Sequence, residues 1–141
     1  AKACPKMQGQ TTSGTNCIAQ RATITALDAS VEKIQYMIDE FKERRKLIID
    51  LLSEIKGIKL NQPMGAFYIF PDISYFFGKT IKNKKIKNAS DFAIFLLEES
   101  HVATVTGDAF GSPNNIRISY AASKKQIKKA ISRIKTALEN Y

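Results

Sequence analysis

The chain has no apolar run near the roughly 20 residues a membrane-spanning helix needs, which argues against a bilayer-crossing segment. It has one histidine, His101, and two cysteines, Cys4 and Cys17, with no CxxC pair. One histidine and two scattered thiols cannot complete a zinc site. Two unpaired thiols fit a reducing compartment, so the expected location is cytoplasmic, although a disulfide between them stays open from sequence. Also missing are a GxGxxG or Walker loop and a nucleophile elbow. The amino terminus, AKACPKMQGQ, has neither an initiator methionine nor the apolar core of a secretory signal. It is expected to be a processed or cut piece of a longer protein.

What is present is ordinary for a globular chain of 141 residues: 44% hydrophobic and 25% charged. That is enough for one domain with a core. The net charge is +9. Its densest run, Lys79–Lys87 (KTIKNKKIK), holds no aromatic side chain to stack a base. It reads as a solvated basic loop, with a polyanion patch as the alternative.

Residues 1–15 are polar and read as loop. A helical pattern runs from Asn16 to Leu27, followed by cap chemistry at Asp28-Ala29-Ser30. Val31, Ile34, Ile38, Phe41, Ile48, Leu52 and Ile55 then form an apolar stripe on one long helix of about 39 Å. It is either a long core helix or one that bridges to another domain, and Gly57 is its expected stop. Short strands are expected at Ile58–Asn61, Ala66–Phe70, His101–Thr106 and Asn115–Ala121. Ser90 is expected to cap a helix bearing Phe92, Phe95 and Leu96. Ser123 and Gln126 form a capping box ahead of a closing helix. The fold class is α+β: a small mixed sheet covered by helices, with a long inter-domain helix.

Gly107–Ala121 (GDAFGSPNNIRISYA) is the most informative segment. Ile116, Ile118 and Tyr120 alternate with Arg117, Ser119 and Ala121, so one strand face is apolar and the other carries a lone arginine beside small neighbours. A guanidinium clear of bulky groups can grip a carboxylate with two parallel hydrogen bonds. From the pattern alone, a solvent-facing surface arginine is the competing reading. His101 reads as a capping residue and Asp72 as a turn residue. No catalytic constellation stands out.

Five segments together resemble the C-terminal portion of a fold-type I aminotransferase, closest to the aspartate aminotransferase group. They are QGQTTSGTNCIAQRATITAL at 8–27, FKERRKLIIDLL at 41–52, PMGAFYIFPDIS at 63–74, FAIFLLEESHVATVTGDAFG at 92–111 and NNIRISYAASKKQIKKAISRI at 114–134. The resemblance implies a pyridoxal phosphate enzyme, homodimeric, that moves an amino group between an amino acid, aspartate foremost, and a 2-oxo acid. It implies that residues 1–29 belong to a large cofactor-binding domain and 30–141 to the small domain. It makes Arg117 the residue that binds the substrate α-carboxylate and puts Phe67 near the active-site entrance, with core packing as the plainer role for Phe67. Gln10–Asn16 resembles a segment near the subunit interface. The family's Schiff-base lysine follows a serine in a motif with a later Gly-x-Arg. Ser123-Lys124 lacks that continuation, so no catalytic, cofactor-binding or metal-binding residue is assigned here. The chain alone is expected to be inactive and to bind no cofactor specifically. The alternative function is a stand-alone basic α+β module for nucleic acid or a protein partner.

Overall fold

A computed structural model describes residues 3–11 and 14–139. The chain divides into two compact units, Ala1–Tyr36 and Met37–Tyr141. In the first, α1 spans Ala3–Thr11 and α2 spans Cys17–Leu27. The polar start, expected as loop, is therefore helical over α1. Pro5 falls in its first turn, where a missing N–H costs no helix bond. Asn16 caps α2, its Oδ1 accepting from the N–H groups of Ile18 and Ala19 at 2.8 and 3.3 Å. Neither helix buries a residue.

The expected long helix is a 3-10 turn, Val31–Ile34, running into α3, Gln35–Ser53. α3 thus begins in the first unit and continues into the second. Its apolar stripe divides by position. Ile48 and Leu52 are fully buried, whereas Val31 and Ile34 are exposed. The helix ends four residues before Gly57, which sits at φ 91 against the Tyr75 ring. A side chain there would meet both a disfavoured backbone and an aromatic wall.

The second unit is α+β. Its sheet runs β1 (Tyr68–Ile69), β5 (Ile116–Ser119), β4 (Val105–Thr106) in spatial order. The small sheet expected as mixed pairs antiparallel throughout the described residues. Ile69, Ile116 and Ile118 join Leu52 of α3, Phe92 of α4 (Ala89–Ser100) and Ile131 of α5 (Lys124–Leu138) in one core. The helices lend their stripes to one side of the sheet and leave the other for a site. The strand expected at Ile58–Asn61 is a single bridge, Lys59 to Asp72, with backbone bonds of 3.0 and 2.9 Å.

Two local expectations are corrected. Asn88, not Ser90, caps α4. Its Oδ1 accepts from the Asp91 N–H at 2.9 Å, and the Asp91 carboxylate accepts from the Lys87 N–H at 2.9 Å, whereas Ser90 is already the second residue of the helix. The basic loop is a hairpin of β2 (Thr80–Ile81) and β3 (Lys84–Lys85). Lys82 and Asn83 take φ values of 46 and 64, the two positive angles of a two-residue turn whose twist matches the strands. Ile81 and Ile86 bury beneath it, and Lys84 pairs with Glu98 and Glu99 of α4. Its lysines are thus partly neutralised locally, which weakens the polyanion alternative. The Ser123–Gln126 capping box forms as expected.

Candidate carboxylate-binding site

β5 carries out the alternation read from its sequence. Ile116, Ile118 and Tyr120 are buried at 1%, 7% and 2% exposure, and Arg117 points the other way. Cross-strand register puts Val105 opposite Arg117 and Tyr68 opposite Ser119, so these four residues share one sheet face. Tyr120 anchors the strand from beneath. Its hydroxyl donates to the Ala66 carbonyl at 2.9 Å, and burial raises the phenol's pKa against the opposing charge of Arg45.

Small neighbours were expected to leave Arg117 clear. Along β5 they do, but two rings from other elements close in. The guanidinium carbon lies over the Tyr68 ring at 4.4 Å from its centroid and over the Phe110 ring at 4.5 Å. Tyr68 comes from β1; Phe110 comes from the 3-10 turn Gly107–Phe110. Phe70 meets Phe110 edge-on at 6.1 Å and 86°. Arg117 is half-buried and makes no side-chain hydrogen bond or ion pair among the described residues. Its carbon stands over two aromatic rings while its N–H groups have no protein acceptor among the described residues. That arrangement suits a planar anion from outside.

Phe67 is 42% exposed, which removes simple core packing as its role. Its ring lies 4.6 Å from Tyr68 and 6.2 Å from Phe41. It reaches Arg117 through Tyr68. Sequence reasoning missed Tyr68 and Phe110. Period-two alternation within Ala66–Phe70 separates Tyr68 from Phe67, but only the β1–β5 register shows which face meets Arg117. Phe110 lies in a turn, where no periodicity points anywhere.

The other singled-out residues keep local roles. Asp72 Oδ1 accepts from the Ser74 N–H at 2.8 Å. Burial pushes its carboxyl up, but the Ser74 hydrogen bonds and the Lys59 charge outweigh it and leave the pKa below its ordinary 3.8. His101 closes α4 at φ 53, its N–H turned back to the Leu96 and Leu97 carbonyls. No cluster of metal ligands occurs among the described residues, and no helix there is long and apolar enough to cross a membrane.

The family model for aminotransferase class I and II matches residues 2–134. The chain belongs to this family. It is 42% identical over 140 residues to a bifunctional aspartate aminotransferase and glutamate/aspartate-prephenate aminotransferase of Petunia hybrida, covering 96% of this chain and 29% of that protein. An asparagine–oxo-acid transaminase of Streptococcus mutans is 39% identical, with 97% and 34% covered. The crystal structure of the aspartate aminotransferase from Rhizobium meliloti superposes with a TM-score of 0.91 at 38% identity, covering 98% of this chain and 35% of that one. The chain thus spans about a third of the length of these relatives. Nothing in these matches supports a stand-alone nucleic-acid or protein-binding module.

Aminotransferases of this family use pyridoxal phosphate, held in the resemblance by a lysine after a serine. The only Ser-Lys pair here does not fit that group. Lys124 lies in the first turn of α5, 3.2 Å from Glu40 and 3.4 Å from Glu43. The Glu40 hydrogen bond, and Glu43 after it, raise its pKa above 10.5, away from the free amine that a Schiff base requires.

Proposed function

We infer that this chain is the part of a pyridoxal-phosphate aminotransferase that receives the substrate's α-carboxylate. The longer enzyme exchanges an amino group between an amino acid, aspartate foremost, and a 2-oxo acid, works as a homodimer and resides in the cytoplasm. Arg117 is its carboxylate-binding residue and Phe67 lines the approach. Residues 1–29 belong to the large domain and 30–141 to the small one, with the Schiff-base lysine outside this chain. The observation that carries this reading is the set of unengaged N–H donors of Arg117 between two aromatic rings, on the sheet face it shares with Val105, Tyr68 and Ser119. Two parallel charge-assisted hydrogen bonds fix both the position and the tilt of a carboxylate, and surrounding apolar surface strengthens them. The aspartate emphasis draws on relatives named for aspartate, prephenate and asparagine.

Arg117→Lys in the longer enzyme tests it. The ammonium keeps the charge and loses the coplanar pair of bonds. Losing a charge-assisted hydrogen bond costs about 1.5–3 kcal/mol, or about a 10- to 150-fold fall in kcat/KM. The melting temperature should hardly move, because Arg117 is not a core residue. Near-normal efficiency would refute the role, and a loss that tracks unfolding would make Arg117 merely structural. The chain by itself should show no transamination, and borohydride should trap pyridoxal phosphate on no single mapped lysine. Turnover of aspartate by this chain alone would overturn that.

A further inference from the structure

Ring contacts use the faces of a guanidinium, whereas its five N–H donors lie in its plane. At Arg117 two rings crowd the guanidinium carbon and restrict how it can rotate, while no described residue takes its N–H donors. A long arginine side chain free to rotate loses rotamer entropy when it binds, and one already held by rings has lost it beforehand.

The second ring is held in an unusual way. Phe110 is 49% exposed, so burial does not place it. Its backbone does. Thr106 caps the Gly107–Phe110 turn, its Oγ1 accepting from the Asp108 N–H at 3.4 Å; the same hydroxyl donates to Asp108 Oδ2 at 2.8 Å, and the Ser90 hydroxyl of α4 reaches that Oδ2 at 3.4 Å. The Gly107 N–H donates to the Asn115 carbonyl at 2.7 Å, and the Ser112 N–H donates to the Gly107 carbonyl at 3.0 Å. Gly111, at φ 71, closes the turn. A turn pinned at both ends holds a half-exposed ring against the one arginine on that face. Core packing supplies no reason for this.

We propose that Tyr68 and Phe110 are positioning residues that set the plane of the Arg117 guanidinium for the substrate's carboxylate. The proposal rests on reading Arg117 as the carboxylate-binding residue.

The test is steady-state kinetics of the holoenzyme, with Arg117→Lys measured beside the ring variants. Phe110→Leu keeps apolar bulk and removes the π face. It should raise KM for the amino acid about 3- to 30-fold, in line with the loss of one partly desolvated cation–π contact, and leave kcat within about twofold. Phe110→Tyr should restore KM to within about twofold of the parent. Should Phe110→Leu melt early, Phe110→Met is read by the same criteria. An unchanged KM in the ring variant, beside a large loss in Arg117→Lys, overturns this proposal alone and leaves the carboxylate reading standing. A normal Arg117→Lys enzyme overturns both. Failure of Phe110→Tyr to rescue shows that the ring face is not the agent, and it too overturns the proposal.

Discussion

Gly107 shows how a residue without a side chain governs a site. A Cβ built there would come within 2.1 Å of the Ser112 carbonyl oxygen and 2.5 Å of that of Asn115. Both are backbone atoms of the segment between the Phe110 turn and β5, so neither can swing aside. Gly107→Ala should therefore destabilise the fold by about 1–3 kcal/mol, the usual cost of forcing extra volume into a packed site. It should also raise KM for the amino acid, because relieving the clash moves the turn. A thermal melt and a kinetic run on the same protein check this. An unshifted melt would mean that the turn yields at little cost. Arg117 differs in kind: its environment costs little to fold, and its replacement should show in kinetics alone.

Among the elements, the β2–β3 hairpin departs furthest from its sequence signature. A two-residue turn of this type favours Asn-Gly, and the chain has Lys82-Asn83 instead. Asparagine tolerates the left-handed region, whereas lysine pays a steric cost there. Lys82→Asn should stabilise the protein by about 0.5–1 kcal/mol, read as a higher urea midpoint at unchanged m-value. Lys82 also lies 3.9 Å from Glu99, but exposed pairs at that distance contribute little. The cap of α4 behaves in the opposite way. Asn88→Ala removes the acceptor for the Asp91 N–H and should cost about 1 kcal/mol, whereas Ser90→Ala should leave the cap intact. Comparing the two melts separates the residue that caps the helix from Ser90, the cap expected from the sequence.

At the scale of the whole molecule, ion pairs tie helices to one another and to the hairpin: Lys124 to Glu40, Lys135 to Glu54 and Lys84 to Glu99. Arg44 and then Lys124 hold the Glu40 carboxyl below its ordinary 4.5, and Lys84 does the same for Glu99. A depressed carboxyl contributes stability above its unfolded value, and that contribution is lost as pH falls through the folded value. Lys84, Lys124 and Lys135 are raised above 10.5 by their carboxylate partners. Their contribution is complete below 10.5 and lost as pH rises through the higher folded values. Melting temperature against pH should therefore be flat between about 4.5 and 10.5 for these groups and fall on both sides. The pairs are solvent-exposed, so 1 M salt should shallow both limbs. A Glu40→Gln protein whose acid limb matches the parent's would remove Glu40 from this account.

Much of this protein was legible as a string. Period-three-and-four spacing marked α2, α3 and α5, period-two spacing marked β5, and Ser123 with Gln126 marked a helix start, because local geometry alone imposes those repeats. The α+β class and the family segments followed from the same residues, and so did Arg117 on its own strand face. Tertiary structure decided what local geometry cannot reach. Ile58–Asn61 became one bridge because only Lys59 finds a partner in Asp72. The basic run became a hairpin because Ile81 and Ile86 had a core to enter and Lys84 had Glu98 and Glu99 opposite it. Above all, it brought Tyr68 and Phe110 to one guanidinium from positions 49 residues before it and 7 residues before it. No spacing rule links such positions, since the contact depends on strand register and on a turn held by backbone hydrogen bonds. The charge of the site was written locally, and its orientation arose only when the chain closed on itself.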